Sequence, residues 1–236
     1  MSGGNEGGNI MSMRGIVNRF GNQTVHDKLD LDIVSGEILG IAGGSGSGKS
    51  VLLRTLAGLH QPQAGKVLAG GRPVASLLPA ERAAFIGVLF QQGALFSSLS
   101  VADNIMLPMR EHTPLAPDQQ AALARALALD PRVLLLDEPT SGLDPTSAGD
   151  IDLLIRQLSD SLGVTVVVVT HDLNTLFGVC DRVAVLAGGK VTVGTPAMLM
   201  RDKNEGVREF LSGPRAIAAM TAWSDAGRNE KRLAHN

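Results

Sequence analysis

The chain has 236 residues, of which 21 are Lys or Arg and 23 are Asp or Glu, so its formal net charge is −2. Hydrophobic residues make up 44% of the sequence and aromatic residues only 3%, which predicts a folded protein with an aliphatic core and excludes an intrinsically disordered chain. The near-neutral charge and the scarcity of aromatic side chains argue against a nucleic-acid-binding surface.

The sequence carries no sign of secretion, of membrane insertion or of disulfide bonding. Cys180 is the single cysteine, and we interpret it as a small buried hydrophobic residue. No apolar run approaches the roughly 20 residues needed to span a bilayer, and the first ten residues lack the charged-then-apolar order of a signal peptide. We therefore expect a soluble protein of a reducing, cytoplasmic compartment.

The beginning of the chain predicts a tail followed by a small antiparallel sheet. Residues 1–12 are rich in Gly and Asn, which predicts a disordered N-terminal tail. Apolar and polar residues alternate over 27–34, which indicates a half-exposed strand. Residues 65–74 are typical of a hairpin that turns at Gly70 and Gly71.

The rest of the domain, which we take to run over 13–212, predicts an α/β core. Near-continuous apolar runs at 38–42, 133–137 and 164–170 indicate strands that are buried on both faces, as in a parallel sheet. Helical patterns occupy 49–59, 119–129 and 148–162, so strands and helices alternate. A last hairpin is expected over 183–192, and residues 213–236 form a weakly patterned C-terminal tail.

A glycine-rich segment after the first apolar run fits the pattern G-x4-G-K-S of a phosphate-binding loop. Its residues are Gly43, Gly44, Ser45, Gly46, Ser47, Gly48, Lys49 and Ser50. Backbone N–H groups in such a loop converge on phosphate oxygens, and the helix after it adds partial positive charge. We expect Lys49 to contact the β- and γ-phosphates and Ser50 to bind Mg²⁺. The alternative is an ordinary Gly/Ser-rich turn.

Two carboxylates and a histidine come after the other two apolar runs. Asp137 and Glu138 end the second run, where ligand sites of parallel sheets lie, so we expect Asp137 to hold Mg²⁺ and Glu138 to act as general base. His171 ends the third run and is placed to meet a γ-phosphate. An acidic turn and a purely structural histidine are the alternatives, and Ser141–Asp144 taken alone indicates a turn.

Together these motifs resemble the ATP-binding subunit of ABC transporters over residues 13–211, with one large gap. The resemblance implies a P-loop NTPase core of the ABC ATPase type with an antiparallel β-subdomain, and ATP and Mg²⁺ as ligands. It makes Asp144 part of the D-loop, His171 the switch histidine and Gln91 the Q-loop residue, which contacts Mg²⁺ and the attacking water. It places Phe20 where an aromatic ring stacks on adenine. Without the resemblance, Gln91 would be an exposed loop residue and Phe20 a core residue.

A narrower resemblance, to the ATPase of Mla-type phospholipid transport systems, rests on residues 90–96, Asp103, Asn104 and 107–113, of which the string Arg110-Glu-His-Thr113 is the most specific part. It implies a homodimer of ATPase subunits bound to a membrane permease at the cytoplasmic face of the inner membrane. A lipid-binding substrate protein and a small regulatory subunit are further implied partners, and nucleic acid is not one.

The chain departs from the family between residues 113 and 121, where the helical subdomain and its Leu-Ser-Gly-Gly signature are expected and are absent from the sequence. We therefore expect the helical subdomain to be largely missing. The alternatives are a degenerate subunit that binds ATP with little hydrolysis and the ATPase of another ABC importer. Two further alternatives agree less well with the sequence. A soluble ABC ATPase acting on DNA or the ribosome conflicts with the net charge of −2, and a small-molecule P-loop kinase does not explain Ser141–Asp144 and His171 together.

Overall fold

The computed structural model describes residues 8–89, 130–212 and 219–221, which form two sheets and the helices packed on them. The strands are β1 (Asn9–Phe20), β2 (Gln23–Val34), β3 (Ile38–Gly43), β4 (Ala64–Ala69), β5 (Arg72–Pro73), β6 (Ile86–Leu89), β7 (Val133–Asp137), β8 (Thr165–Val169), β9 (Arg182–Ala187) and β10 (Lys190–Gly194). The helices are α1 (Lys49–Leu56), α2 (Pro79–Phe85), α3 (Pro145–Leu162), α4 (Leu173–Gly178), α5 (Pro196–Leu199) and α6 (Glu205–Leu211), and a 3₁₀ turn spans Val74–Ser76.

The smaller sheet has the order β2-β1-β4-β5 and is antiparallel, as the sequence predicts. The prediction of a disordered tail through residue 12 is wrong for its last part, because β1 begins at Asn9 and the Met11 side chain is buried. The pairing of β1 with β2 shifts register at several points. These shifts break the apolar alternation that would have marked the strand.

The larger sheet has the order β10-β9-β3-β8-β7-β6, with five parallel strands and the antiparallel edge strand β10. Successive residues of its central strands enter two different cores. Leu135 and Val167 pack with α1 and the smaller sheet, whereas Leu134 and Val168 pack with α3 and the C-terminal helices. Both faces of the sheet are therefore covered, which explains why the three apolar runs show no alternation.

Two helix boundaries differ from the prediction for local reasons. Helix α1 ends at Leu56 rather than residue 59, because Gly58 adopts a left-handed conformation (φ +69°) just after the cap. Helix α3 begins at Pro145 rather than residue 148, because Asp144 caps it and proline fits the first helical position. The helix expected at 119–129 lies outside the described residues.

The end of the described chain packs against the core that contains α3. Ala219 and Met220 contact this core, although the sequence predicts a weakly patterned tail there. Cys180 is buried in the same core, and burial raises the pKa of its thiol, which agrees with the prediction of an inert hydrophobic residue. Within residues 8–89, 130–212 and 219–221, every helix is too short or too polar to cross a membrane.

Candidate functional site

Three adjacent strands of the larger sheet bring the predicted site residues to one edge. In the order β3-β8-β7, β3 leads into the glycine-rich loop, β8 leads to His171 and β7 leads to Asp137 and Glu138. Asp137 pairs with Val169 across β7 and β8, and the Glu138 N–H donates to the Val169 carbonyl at 2.8 Å. The structure therefore assembles at the carboxyl edge residues that lie far apart in the sequence.

The loop between β3 and α1 needs glycine at two tightly packed positions. Gly43 has φ +149°, and a Cβ atom there would lie 2.6 Å from the carbonyl oxygen of Leu186. Gly48 has φ +96°, and a Cβ atom there would lie 2.7 Å from the imidazole Nε2 of His26. Helix α1 starts directly after Gly48, so the first N–H groups of its first turn have no partner within the helix. The loop can therefore present backbone donors to an anion.

The ammonium group of Lys49 is directed back at the loop. Its Nζ donates to the carbonyl oxygens of Gly43 at 2.8 Å and Gly44 at 3.0 Å. Burial lowers the pKa of Lys49, and the nearby carboxylates of Glu138 and Asp137 oppose this shift. The lysine thus occupies the centre of the loop, next to two acids, where it can exchange carbonyl oxygens for phosphate oxygens.

Ser50 and Asp137 form a pair of oxygen ligands suited to Mg²⁺. The Ser50 hydroxyl donates to Asp137 Oδ1 at 3.4 Å, and the Asp137 side chain is buried. Burial raises the pKa of Asp137, and the hydrogen bond from Ser50 opposes the rise. A buried carboxylate is costly without a cation, and a hydroxyl beside a carboxylate is a hard-oxygen donor set that Mg²⁺ prefers.

Glu138 and His171 face each other across the ends of β7 and β8. Glu138 Oε2 lies 2.8 Å from His171 Nδ1, a contact that is close in distance but not aligned as a hydrogen bond. The Glu138 side chain is 12% exposed and that of His171 is 68% exposed. Glu138 also adopts φ +52°, a conformation that is uncommon outside glycine and that is found most often at functional sites.

Asp144 has a partner within its own helix. Its carboxylate accepts from the backbone N–H groups of Thr146 and Ser147 and from the Ser147 hydroxyl. The hydrogen bonds from Ser147 lower the pKa of Asp144. Asp144 is therefore the N-cap of α3, and its contact with a nucleotide stays a prediction.

A half-buried carboxylate joins α3 to α4, the helix that comes after His171. The Thr175 hydroxyl donates to both carboxylate oxygens of Asp152 at 3.0 Å. Burial raises the pKa of Asp152 to about 6, the Thr175 hydrogen bond opposes the rise, and the charge of Asp172 adds to it. The folded protein therefore binds the Asp152 proton more tightly than the unfolded chain does.

We expect Asp152→Asn to stabilise the protein at pH 7.5 by about 1–2 kcal/mol in urea unfolding. The folded-state pKa of about 6 exceeds the ordinary value of 3.8, so wild-type stability falls as pH rises through 6. The amide oxygen keeps an acceptor for Thr175 without carrying charge. The gain should fade as pH falls below 6 and vanish below about 4. Asp27→Asn, at an exposed carboxylate, is the control, and an equal gain for Asp152→Asn at pH 4 and 7.5 would contradict the assignment.

Phe20 is not a core residue, because 49% of its surface is exposed at the end of β1. Its ring stacks on the imidazole of His60, with 5.4 Å between centroids and 26° between planes. An exposed aromatic ring of this kind can stack on a nucleobase. Sequence reasoning missed His60, since the two residues lie 40 positions apart and no spacing signal links them.

Two further predictions concern residues outside those that the structure describes. They are Gln91, the predicted Q-loop residue, and the region 113–121.

Comparison with known proteins agrees with this geometry. The ABC transporter family matches residues 26–122. The intermembrane phospholipid transport system ATP-binding protein MlaF of Haemophilus influenzae is 32% identical, over 87% of this chain and 91% of that protein. The Fe(3+) ions import ATP-binding protein FbpC of Streptomyces avermitilis is 34% identical, over 92% of this chain and 72% of that protein. The dimeric, post-hydrolysis structure of the ATP-binding cassette MJ0796 with ADP and Pi has 27% identity and a TM-score of 0.66, over 78% of this chain and 98% of that one.

The alignment with MlaF contains positions that this chain lacks. It spans 240 positions, whereas 87% of the 236 residues is about 205, so about 35 aligned positions have no residue in this chain. This number is compatible with the absence of a helical segment. The chain is 32% identical to MlaF over 91% of that protein, and its glycine-rich loop and its two acids lie at the same edge of one sheet. The chain therefore belongs to the ATP-binding subunits of ABC transporters, which are ATPases.

Proposed function

We propose that this chain binds MgATP at the edge formed by β3, β8 and β7. The observation that carries the proposal is the arrangement of Lys49, Ser50, Asp137 and Glu138 around one loop. Lys49 would leave the carbonyl oxygens of Gly43 and Gly44 for the β- and γ-phosphates, and Ser50 and Asp137 would hold Mg²⁺. The metal, when bound, neutralises charge on the phosphate oxygens. Phe20 would stack on the adenine ring.

Glu138 is the general base of the proposed reaction. A water oxygen attacks the γ-phosphorus, the bond to the bridging oxygen of ADP breaks, and the water proton passes to the Glu138 carboxylate. His171 lies 2.8 Å from Glu138 and is largely exposed, so it is placed to donate to the γ-phosphate oxygens. Gln91 stays the proposed contact between the water, Mg²⁺ and the membrane partner.

The cargo that we propose is phospholipid, which a membrane permease moves between two membranes. Two copies of this chain would drive the permease by hydrolysing ATP. The support is the string Arg110-Glu-His-Thr113 in the sequence, together with the 32% identity to MlaF. The chain is also 34% identical to a subunit of a ferric-ion importer, so overall identity alone does not distinguish phospholipid from ferric ion as the cargo. The proposed position is peripheral, at the cytoplasmic face of the inner membrane.

The cargo is tested with the chain co-purified with its permease and reconstituted in vesicles. We expect ATP to drive transfer of a fluorescent phospholipid to acceptor vesicles, and phospholipid to stimulate ATP hydrolysis severalfold. Lys49→Ala in the same complex is the control for ATP-independent exchange. A complex whose hydrolysis responds to a ferric-ion or amino-acid binding protein, and not to phospholipid, would contradict the proposed cargo.

A second candidate function is ATP binding with little turnover. The observation that favours it is the absence of a Leu-Ser-Gly-Gly signature from the sequence. The family resemblance implies that the signature of one subunit binds the γ-phosphate held by the other. Without it, a pair of these chains would lack one set of transition-state donors.

A further inference from the structure

Three buried polar side chains lie under the phosphate loop and take no part in the proposed hydrolysis. Asn18 of β1, His26 of β2 and Thr55 of α1 are each at most 1% exposed. We call them the Asn18–His26–Thr55 cluster. Burying polar groups costs stability unless each finds a partner. The cluster joins the smaller sheet to the helix that starts at Lys49. It therefore lies where it can influence the conformation of the phosphate loop.

The hydrogen bonds of the cluster fix the orientation of each group. The Thr55 hydroxyl donates to the Val51 carbonyl at 2.7 Å, so it can only accept from Asn18 Nδ2, which lies 3.1 Å away. The amide nitrogen of Asn18 therefore faces the cluster, and the same nitrogen lies 3.0 Å from His26 Nδ1. Because an amide N–H donates there, Nδ1 accepts and the proton of the neutral ring sits on Nε2.

The neutral form of His26 is the form present at physiological pH. The pKa of His26 is lowered to about 4, mainly by burial; the Gly48 backbone opposes the shift, and His60 contributes a smaller part of the lowering. The groups around the ring are thus an amide, a second histidine and the loop backbone. At pH 7 the imidazole is consequently a donor at Nε2 and an acceptor at Nδ1.

The donor side of the imidazole faces the phosphate loop. A Cβ atom on Gly48 would lie only 2.7 Å from Nε2, so the ring packs directly against this residue. Nε2 is buried and has no acceptor in good hydrogen-bond geometry within the described chain, although the Gly48 backbone is its neighbour. Gly48 immediately precedes Lys49 and Ser50. The Gly48 carbonyl oxygen accepts from the Leu52 N–H at 2.8 Å, and its second lone pair is the acceptor available to Nε2–H.

We propose that His26 is a positioning residue for the phosphates of the nucleotide: its ring supports Gly48, and its Nε2–H donates to the loop backbone when a triphosphate occupies the loop. The proposal rests on the proposed binding of ATP at this loop. Asn18 lies two residues before Phe20 on the same strand, so the cluster also ties the aromatic ring proposed for adenine to the loop proposed for phosphate.

The proposal separates two conservative substitutions of His26. In His26→Gln, a side-chain N–H can reach the place of Nε2, whereas in His26→Asn the amide reaches only the place of Nδ1. We expect His26→Gln to bind ATP and inorganic tripolyphosphate within about threefold of the parental protein, and His26→Asn to bind both at least about tenfold more weakly. Calorimetry measures the affinities. Comparing tripolyphosphate with ATP shows whether affinity is lost at the phosphates or at the adenine ring.

Thr55→Ser is the matched control within the cluster. It removes a buried methyl group but keeps the hydroxyl that accepts from Asn18, so the tautomer of His26 and its packing against Gly48 are unchanged. We expect a lower melting temperature and an affinity for tripolyphosphate within about threefold of the parental value. Equal affinities of His26→Gln and His26→Asn, or a tenfold loss in Thr55→Ser, would overturn the role of His26.

A measurement on the parental protein is independent of how the variants fold. With ¹⁵N-labelled histidine, saturating tripolyphosphate should shift the Nε2 resonance of His26 and slow the exchange of its proton. An unchanged resonance at saturation would overturn the proposal. A parental protein that binds neither ATP nor tripolyphosphate would instead refute nucleotide binding itself, so the two failures are distinguishable.

Discussion

Lys49→Ala should reduce the affinity for MgATP by about 100-fold or more, as measured by calorimetry. The ammonium group is the cation at the centre of the loop, held 2.8 Å and 3.0 Å from two carbonyl oxygens that phosphate oxygens would replace. Charge-assisted hydrogen bonds contribute about 1.5–3 kcal/mol each, so the loss of the cation costs about 3 kcal/mol or more of binding free energy.

Lys190→Ala is the control, since this lysine is exposed on the edge strand β10, which β9 separates from β3. Its affinity for MgATP should equal that of the parental chain. Both variants should keep the parental far-ultraviolet circular dichroism, because Lys49 makes its two contacts with loop carbonyls and not within a core. An unchanged affinity in Lys49→Ala would remove the assignment of 43–50 as the phosphate loop.

The chemistry at the sheet edge could be predicted because each of its signals is local in sequence. An apolar run that ends in Asp137 and Glu138, and another that ends before His171, indicate both a strand and the polar side chains at its carboxyl end. Parallel strands buried on both faces must end at a common edge, so the motifs meet there. The structure confirms the α/β sheet and brings Glu138 to 2.8 Å from His171.

The features that could not be predicted depend on pairs that are distant in sequence or on irregular strands. The contact of Phe20 with His60 and the bond of Asn18 to Thr55 join residues 40 and 37 positions apart, with no repeat or spacing to mark them. The twelve residues of β1 were not predicted as a strand, because its register shifts interrupt the alternation and its first four residues belong to the segment predicted to be disordered. Tertiary pairing decided these elements, and a single sequence shows no trace of it.

The second large effect concerns turnover. We expect the purified chain to bind ATP with a micromolar to millimolar dissociation constant but to hydrolyse it slowly and to dimerise little on ATP addition. The sequence contains the residues proposed to contact the phosphates, Mg²⁺ and the attacking water, which are Lys49, Ser50, Asp137, Glu138 and His171. It contains no Leu-Ser-Gly-Gly signature, which would contact the nucleotide of the partner subunit. Removing one set of transition-state donors costs roughly 10²–10³-fold in rate, or about 3–4 kcal/mol.

Grafting a signature-bearing helical segment from a related ATPase between Thr113 and Ala121 should therefore raise the hydrolysis rate by about 100-fold or more. The same graft in a Glu138→Gln chain should bind ATP and form the ATP-driven dimer but stay inactive, because the amide keeps the shape of Glu138 and cannot accept the water proton. Phosphate release at saturating MgATP measures the rate, and light scattering measures the dimer. If the ungrafted chain already hydrolyses ATP briskly and cooperatively, another segment must supply the missing donors. If the grafted Glu138→Gln chain matches the grafted parent, Glu138 is not the base.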